Sequence, residues 1–413
     1  MTDRRAFLRG AVGASVAGVA GAAAGAGITA AVVGGSPAAA ASTASGPLAH
    51  VPFHGARQAG ITTGPQAHAT MLGLDVEVAN RAELEDLLRT ITERARFLTT
   101  GGTPPDPGIS APPTDSGVLG PVVVPDRLSV TLGVGASLFD GRFGLAERRP
   151  AELVAMPTFP DDHLVPELTH GDLSLQVCAE NCDTVGHAIR DIAKATRGAF
   201  AVRWRVDGFR SPPRPAGTPR NLLGFKDGTA NLDARDAGLM SSRVWLGGGT
   251  DQPWTAGGTF QVVRTIRMLI EFWDRIGINE QENLIGRRRD SGAPMDGNAE
   301  IDRPNYAQDP VGAATPLTSH IRLANPRTPQ TEANRILRRP YNYDNGMDAV
   351  GNLDMGLLFV CYQQSIAKQF ATVQKRLAGE PLVDYIEPVG GGYFLALPGV
   401  RDERDFFGSA MLA

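Results

Sequence analysis

Between residues 69 and 210 the chain moves twice between the two periodicities that secondary structure imposes. Residues 69–78 (ATMLGLDVEV), 128–134 (LSVTLGV), 173–179 (LSLQVCA) and 200–207 (FAVRWRVD) alternate apolar and polar positions, the period-two pattern of a half-buried strand. From Arg81 to Leu98 the apolar residues fall at Leu84, Leu87, Leu88, Ile91, Ala95 and Leu98, which is the spacing of one helix face. Thr184 to Thr196 reads as a second amphipathic helix. Between the first helix and the second strand, Gly101 to Pro125 is rich in Pro, Gly, Ser and Thr and reads as a long surface loop.

Strand, helix, strand, then strand, helix, strand is the order of a ferredoxin-like α+β unit. It is complete by residue 210, where RSPPRPAGTPR (210–220) forms a Pro-rich linker. A similar order follows. A strand over 258–270 runs into a helix over 271–277, and a polar, Gly/Pro-rich excursion occupies 281–316. DMGLLFVCY (354–362) is a buried strand, 365–377 a helix and YFLAL (393–397) a closing strand. The expected fold class is α+β, with two ferredoxin-like domains over 46–215 and 216–413, each built on an antiparallel sheet. No clear sequence repeat accompanies this duplication of pattern.

The first 45 residues stand apart. Met1 to Gly10 (MTDRRAFLRG) carries Arg4 and Arg5 just before Phe7 and Leu8, an Ala/Gly/Val run follows, and SPAAAAS (36–42) supplies small residues for cleavage. A charged start, a weakly apolar middle and a small-residue end make a secretory signal. The paired arginines resemble those of the twin-arginine export signal, with an uncleaved anchor as the alternative. That route carries folded proteins, as a cofactor inserted before export requires. The destination is extracellular, cell-wall associated or periplasmic.

Composition excludes more than it assigns. The net charge is −4, and no basic block offers a nucleic-acid surface. Three cysteines do not make a disulfide framework, although Cys178 and Cys182 could pair in an exported protein. Cys361 lies in an apolar run and reads as packing. There is no Cys-x-x-Cys-His for covalent haem attachment and no zinc spacing. The glycine pairs and runs at 133–135, 247–249 and 390–392 lack phosphate-loop context and read as turns and close packing.

Chemistry-bearing residues concentrate in SHIRLANPRTPQTEANRILRRPYNYD (319–344). His320 sits at a strand end in this reading, and residues 332–339 have helical character until Pro340 stops them. A neutral imidazole is the commonest protein metal ligand, and Arg338 and Arg339 are permanent cations. A hydrogen-bonded structural histidine is the plainer alternative. Between the halves, NLLGFKDGTAN (221–231) places Asp227 between Gly224 and Gly228, which suits close approach to a flat ligand but is equally an ordinary Asp-Gly turn.

GFKDGTAN, SHIRLANPR and LRRPYNYD together resemble the dye-decolorising peroxidases, in particular their exported branch, which includes the enzyme of bacterial iron-uptake operons. The resemblance extends over PFHGARQAGITT (52–63), VTLGVGASLFD (130–140), MPTFPDDHL (156–164), HGDLSLQVCA (170–179), DMGLLFVCYQ (354–363), VQKRLAGEPL (373–382) and GGGYFLALPGV (390–400). It implies a non-covalent haem b in the C-terminal domain, with His320 as proximal iron ligand and Asp227 as distal acid–base residue. Arg338 would be the distal arginine. Arg339 stays open for that role, or for a haem propionate or a surface pair. Gly228 would lie at the cofactor, and Leu357 and Phe359 would line the distal pocket. An acidic partner for His320 is expected among Asp402, Glu403 and Asp405.

The implied reaction is peroxide reduction coupled to oxidation of dyes, phenols or other bulky one-electron donors. Asp227 would move the peroxide proton and Arg338 would stabilise the departing oxygen. Carboxylates titrate near ~4 and histidines near ~6.5, so an aspartate base implies turnover in mild acid. Dyes too large for the pocket would deliver electrons through a surface aromatic, for which Tyr341, Tyr343, Tyr385, Tyr393, Trp245, Trp254 and Trp273 are available. The alternatives are a deferrochelatase-like protein that frees iron from haem, and a non-catalytic haem or iron carrier. An iron-uptake permease and a second copy of the chain are compatible partners.

Overall fold

The computed structural model describes residues 50–413; the expected export signal over 1–45 lies outside them. Among the described residues nine strands form one antiparallel sheet that closes on itself. They are β1 (His68–Val76), β2 (Ser129–Gly135), β3 (Leu173–Ala179), β4 (Phe200–Phe209), β5 (Thr259–Met268), β6 (Leu337–Arg338), β7 (Tyr341–Met347), β8 (Leu353–Gln363) and β9 (Ile386–Ala396).

The first half pairs in the order β2-β3-β1-β4 and the second in the order β9-β5-β8-β7, with β6 added to β8. Read by position within each half, these are the same ferredoxin-like order. The halves join edge to edge. Gly133, Val134 and Gly135 of β2 pair with Ala396, Leu395 and Phe394 of β9, and Phe209 of β4 pairs with Asn342 of β7. Each half thereby covers the other's open edges, which would otherwise present unpaired amides and carbonyls.

Helix α1 (Arg81–Thr100) starts where the sequence places it, because Asn80 accepts from the Glu83 amide while Glu83 accepts from the Ala79 amide, a reciprocal cap. Its stripe Leu84, Leu88, Ile91, Ala95 and Leu98 has no measurable exposure. It packs beside α2 (Cys182–Ala195), to which Arg94 is tied by a 2.6 Å ion pair with Asp191. The ring interior is lined by Met71, Trp204, Val263, Leu358, Val360 and Phe394. On β8, alternate residues point the other way: Met355, Leu357 and Phe359 are only half-buried.

Several expectations are corrected. Cys178 and Cys182, which could have paired, are free thiols. His320 opens a short helix, His320–Ala324, rather than ending a strand. Residues 332–339 hold one 3-10 turn and then β6, because Leu337 and Arg338 pair with Tyr362 and Cys361. Glycines 390–392 lie inside β9, which starts earlier than the apolar run suggests; a Cβ on Gly391 would stand 2.0 Å from the Val263 carbonyl oxygen. Among the described residues no helix is long and apolar enough to cross a membrane.

Candidate active site

In the second half the sheet is not covered by one long helix. Residues 269–336 take the place of α1 as short helices and loops, and the helix Phe370–Leu377 takes the place of α2. The half-buried face of β8 looks toward these pieces, and His320 stands among them.

The His320 Nδ1–H donates to Glu380, at 2.9 Å to Oε1 and 3.0 Å to Oε2. A carboxylate only accepts, so the proton sits on Nδ1 and Nε2 is left as a ligand atom. The elements are fixed to each other by Arg376, at the end of Phe370–Leu377, which donates to the carbonyls of Leu323 and Ala324 at 3.1 and 2.9 Å. That satisfies the free end of the His320 helix and sets Glu380, just downstream, against the imidazole. Burial disfavours an imidazolium here, yet Glu380 outweighs it and holds His320 above its ordinary pKa; Arg338 opposes and Asp227 assists. All four groups therefore share one electrostatic site.

Glu380 replaces the acidic partners expected near the C-terminus. Glu403 pairs with Arg96, Asp405 pairs with Arg401 and accepts from the Ser409 hydroxyl, and Asp402 accepts from the Arg404 amide. LAGEPL lay inside a recognised motif, but nothing in the sequence marks its Glu as the partner of a residue sixty positions upstream.

Asp227 occupies the turn after the Arg220–Lys226 bridge, with its own amide donating to the Pro219 carbonyl at 2.9 Å. Its Oδ1 accepts from Arg338 Nη1 at 2.7 Å. Arg338 is held from behind by Asn231, which accepts from the Arg338 amide at 2.9 Å and donates to its carbonyl at 2.7 Å. Asn231 is the last residue of GFKDGTAN, and its clamping role appears only in the fold. A cavity of about 230 Å³ is lined by Asp227, Gly228, Asn231, Arg338 and Leu357. Phe359 stands two residues further along β8, with its ring 6.3 Å from that of Phe370.

Arg339 faces away. Its guanidinium is buried and donates to the Thr63 carbonyl and the Gln66 side chain, so it serves neither a propionate nor a surface pair. Of the seven aromatics considered for electron entry, Tyr341, Tyr343, Tyr393, Trp245, Trp254 and Trp273 are buried and Tyr385 alone is half-exposed. Tyr385 lies edge-on to Trp273 at 5.4 Å.

The residues fit a haem. The His320 side chain is 32% accessible, which leaves its ring open to a ligand. The Tyr306 hydroxyl and Arg327 Nε are buried without a partner. Arg287 is held below its usual pKa by burial and then by neighbouring Arg327, a crowding of cations that suits the carboxylates of a porphyrin.

Residues 58–210 match the N-terminal domain of Dyp-type peroxidases and residues 218–401 their C-terminal domain. The chain is 52% identical over 367 residues to the deferrochelatase of Escherichia coli (strain K12), covering 87% of each chain. It is similar in structure to a DyP-type peroxidase from Cellulomonas bogoriensis, with a TM-score of 0.79 and 37% identity over 89% of this chain and 99% of that one. Ferric DtpA from Streptomyces lividans gives a TM-score of 0.79 and 34% identity over 89% and 98%. The chain belongs to the Dyp-type peroxidase family. It is a haem-dependent peroxidase that uses haem b, hydrogen peroxide and a reductant.

Proposed function

We propose that this chain reduces hydrogen peroxide at the Asp227–Arg338 pair, with a haem that His320 would hold. The observation that carries this is the 2.7 Å contact of Asp227 with Arg338 at a small cavity, within electrostatic reach of an imidazole whose other nitrogen is held by Glu380. When bound, haem b would supply the redox-active iron that takes up the oxidising equivalents of peroxide.

The side chains do the rest. Asp227 takes the proton from the inner peroxide oxygen and returns it to the outer one, so that water leaves. Arg338 stabilises the negative charge that builds on the leaving oxygen. Glu380 orients His320 and makes it a more electron-rich ligand. Leu357 and Gly228 bound the space, a cavity of about 230 Å³. Large donors are oxidised at the surface, where Tyr385, edge-on to the buried Trp273, is the accessible aromatic.

A second reading follows from the likeness to deferrochelatase, which would use the same His320 to hold haem while its iron is removed. Asp227 and Arg338 favour peroxide chemistry, since iron release needs neither. The test is purified, haem-loaded protein given peroxide and a dye, beside the Asp227→Ala variant. The parent bleaches the dye; the variant keeps haem and reacts with peroxide slower by about 10²–10⁴-fold. Equal rates would remove Asp227 from the mechanism. Arg4 and Arg5 ahead of Phe7 and Leu8 support export by the twin-arginine route, which a lysine pair at those positions would block.

A further inference from the structure

The segment 281–316 reads in sequence as a polar excursion, yet one of its side chains reaches across to the loop that carries Asp227. Glu300 Oε1 accepts from the Thr218 amide at 3.1 Å, the Thr218 hydroxyl at 2.6 Å and the Thr229 hydroxyl at 3.0 Å. Its Oε2 accepts from Lys226 Nζ at 2.6 Å. Both charged groups are withdrawn from solvent, with 4% of the Lys226 side chain and 13% of the Glu300 side chain accessible.

These donors are distributed in a telling way. Lys226 precedes Asp227, Thr229 follows it, and Thr218 adjoins Pro219, whose carbonyl receives the Asp227 amide. One carboxylate therefore grips the chain on three sides of the distal acid. The space for it is reserved: a Cβ on Gly217, whose φ is +80°, would stand 2.0 Å from Glu300 Oε2. Glu300 is anchored in turn through its carbonyl, which accepts from the buried Arg287 at 2.9 Å. Lys226 and Arg287 are the charged groups at Glu300.

Resting on the reading of Asp227 given above, we propose that Glu300 is a positioning residue. It fixes the 218–229 loop so that the Asp227 carboxyl stands at proton-transfer distance from peroxide. A surface ion pair would do nothing measurable for catalysis. A clamp on the acid–base residue does, because a displacement of about 1 Å in such a group can lower the rate about a hundredfold.

The test compares the full chain with Glu300→Ala and the near-isosteric Glu300→Gln, which keeps oxygen acceptance from the threonines and loses the charge facing Lys226. Hydrogen exchange of residues 218–231 is followed with and without haem, beside haem content and the stopped-flow rate with peroxide. In Glu300→Ala the loop should exchange on the order of tenfold faster in both forms. Its peroxide rate should fall by about ten- to a hundredfold at unchanged haem content, with Glu300→Gln between it and the parent.

Parent-like exchange and peroxide rates in both variants would overturn the proposal, as would a rate lost only in step with haem. With Asp227→Ala slow and Glu300→Ala at the parent rate, positioning alone fails. Should Asp227→Ala itself react at the parent rate, the reading of the site falls and Glu300 with it.

Discussion

The two halves share a strand order and differ in what covers the sheet. In the first half, α1 lays an unbroken apolar stripe on the strands, and Leu84, Leu88, Ile91 and Leu98 are wholly buried. In the second, the equivalent cover is cut into pieces by Gly277, Pro316, Pro326 and Pro329, and a cavity remains beside Leu357. The same topology is thus packed solid once and left open once. Chemistry resides in the opening, not in the fold, and the polar contacts of Glu380, Asn231 and Arg376 do there what apolar packing does in the first half.

Substitutions that act on one half only would break or sharpen this contrast. The largest effect is expected at His320: in His320→Ala the protein should fold but emerge without haem, seen as loss of the Soret band at unchanged far-ultraviolet dichroism. Next comes Leu88→Ala in the solid half, which should cost about 2–5 kcal/mol by denaturant titration, with the peroxide rate per bound haem unaltered. A changed rate would mean that the halves are not separable in function. Glu380→Gln should weaken haem binding by about 10–100-fold in competition with apomyoglobin, since an orienting partner is lost while the ligand stays.

The smallest effect is one of pH. Burial alone would raise Glu300, but Lys226, Thr218 and Thr229 outweigh it and lower it from its ordinary 4.5 to about 2. A depressed carboxylate contributes stability that is present above its unfolded pKa and is lost as pH falls through the folded one. The difference in Tm between the parent and Glu300→Gln should therefore be full near neutrality and shrink between pH 4.5 and about 2. A gap independent of pH would show that the pair contributes by shape alone.

Local signals were legible and distant ones were not. The strands and helices of the first half follow from periodicity nearly to the residue, because each buries one face of a regular element. His320, Asp227 and Arg338 were legible as motif residues. The helix at His320 was not, since five residues between Pro316 and Pro326 satisfy neither period clearly. Strands β6 and β7 were missed because β8 and β4 define them from elsewhere in the chain, and YNYDNGM read locally looks like a turn. Glu380 escaped for the same reason: its identity as a partner exists only once the Phe370–Leu377 helix is docked. The acid-rich tail at 402–405 was the more conspicuous choice and is engaged with Arg96, Arg401 and Ser409.

The ring has a consequence for how the protein is made. Strand β9 lies between β5 and β2, so the sheet cannot close until Ile386–Ala396 has been synthesised. Glu380 arrives only just ahead of that strand. A ribosome-bound chain already holds His320, but it lacks both the carboxylate that aims the imidazole and the strand that shuts the wall behind it. A polypeptide stopped before Glu380 would carry His320 with neither its carboxylate partner nor a closed sheet around it.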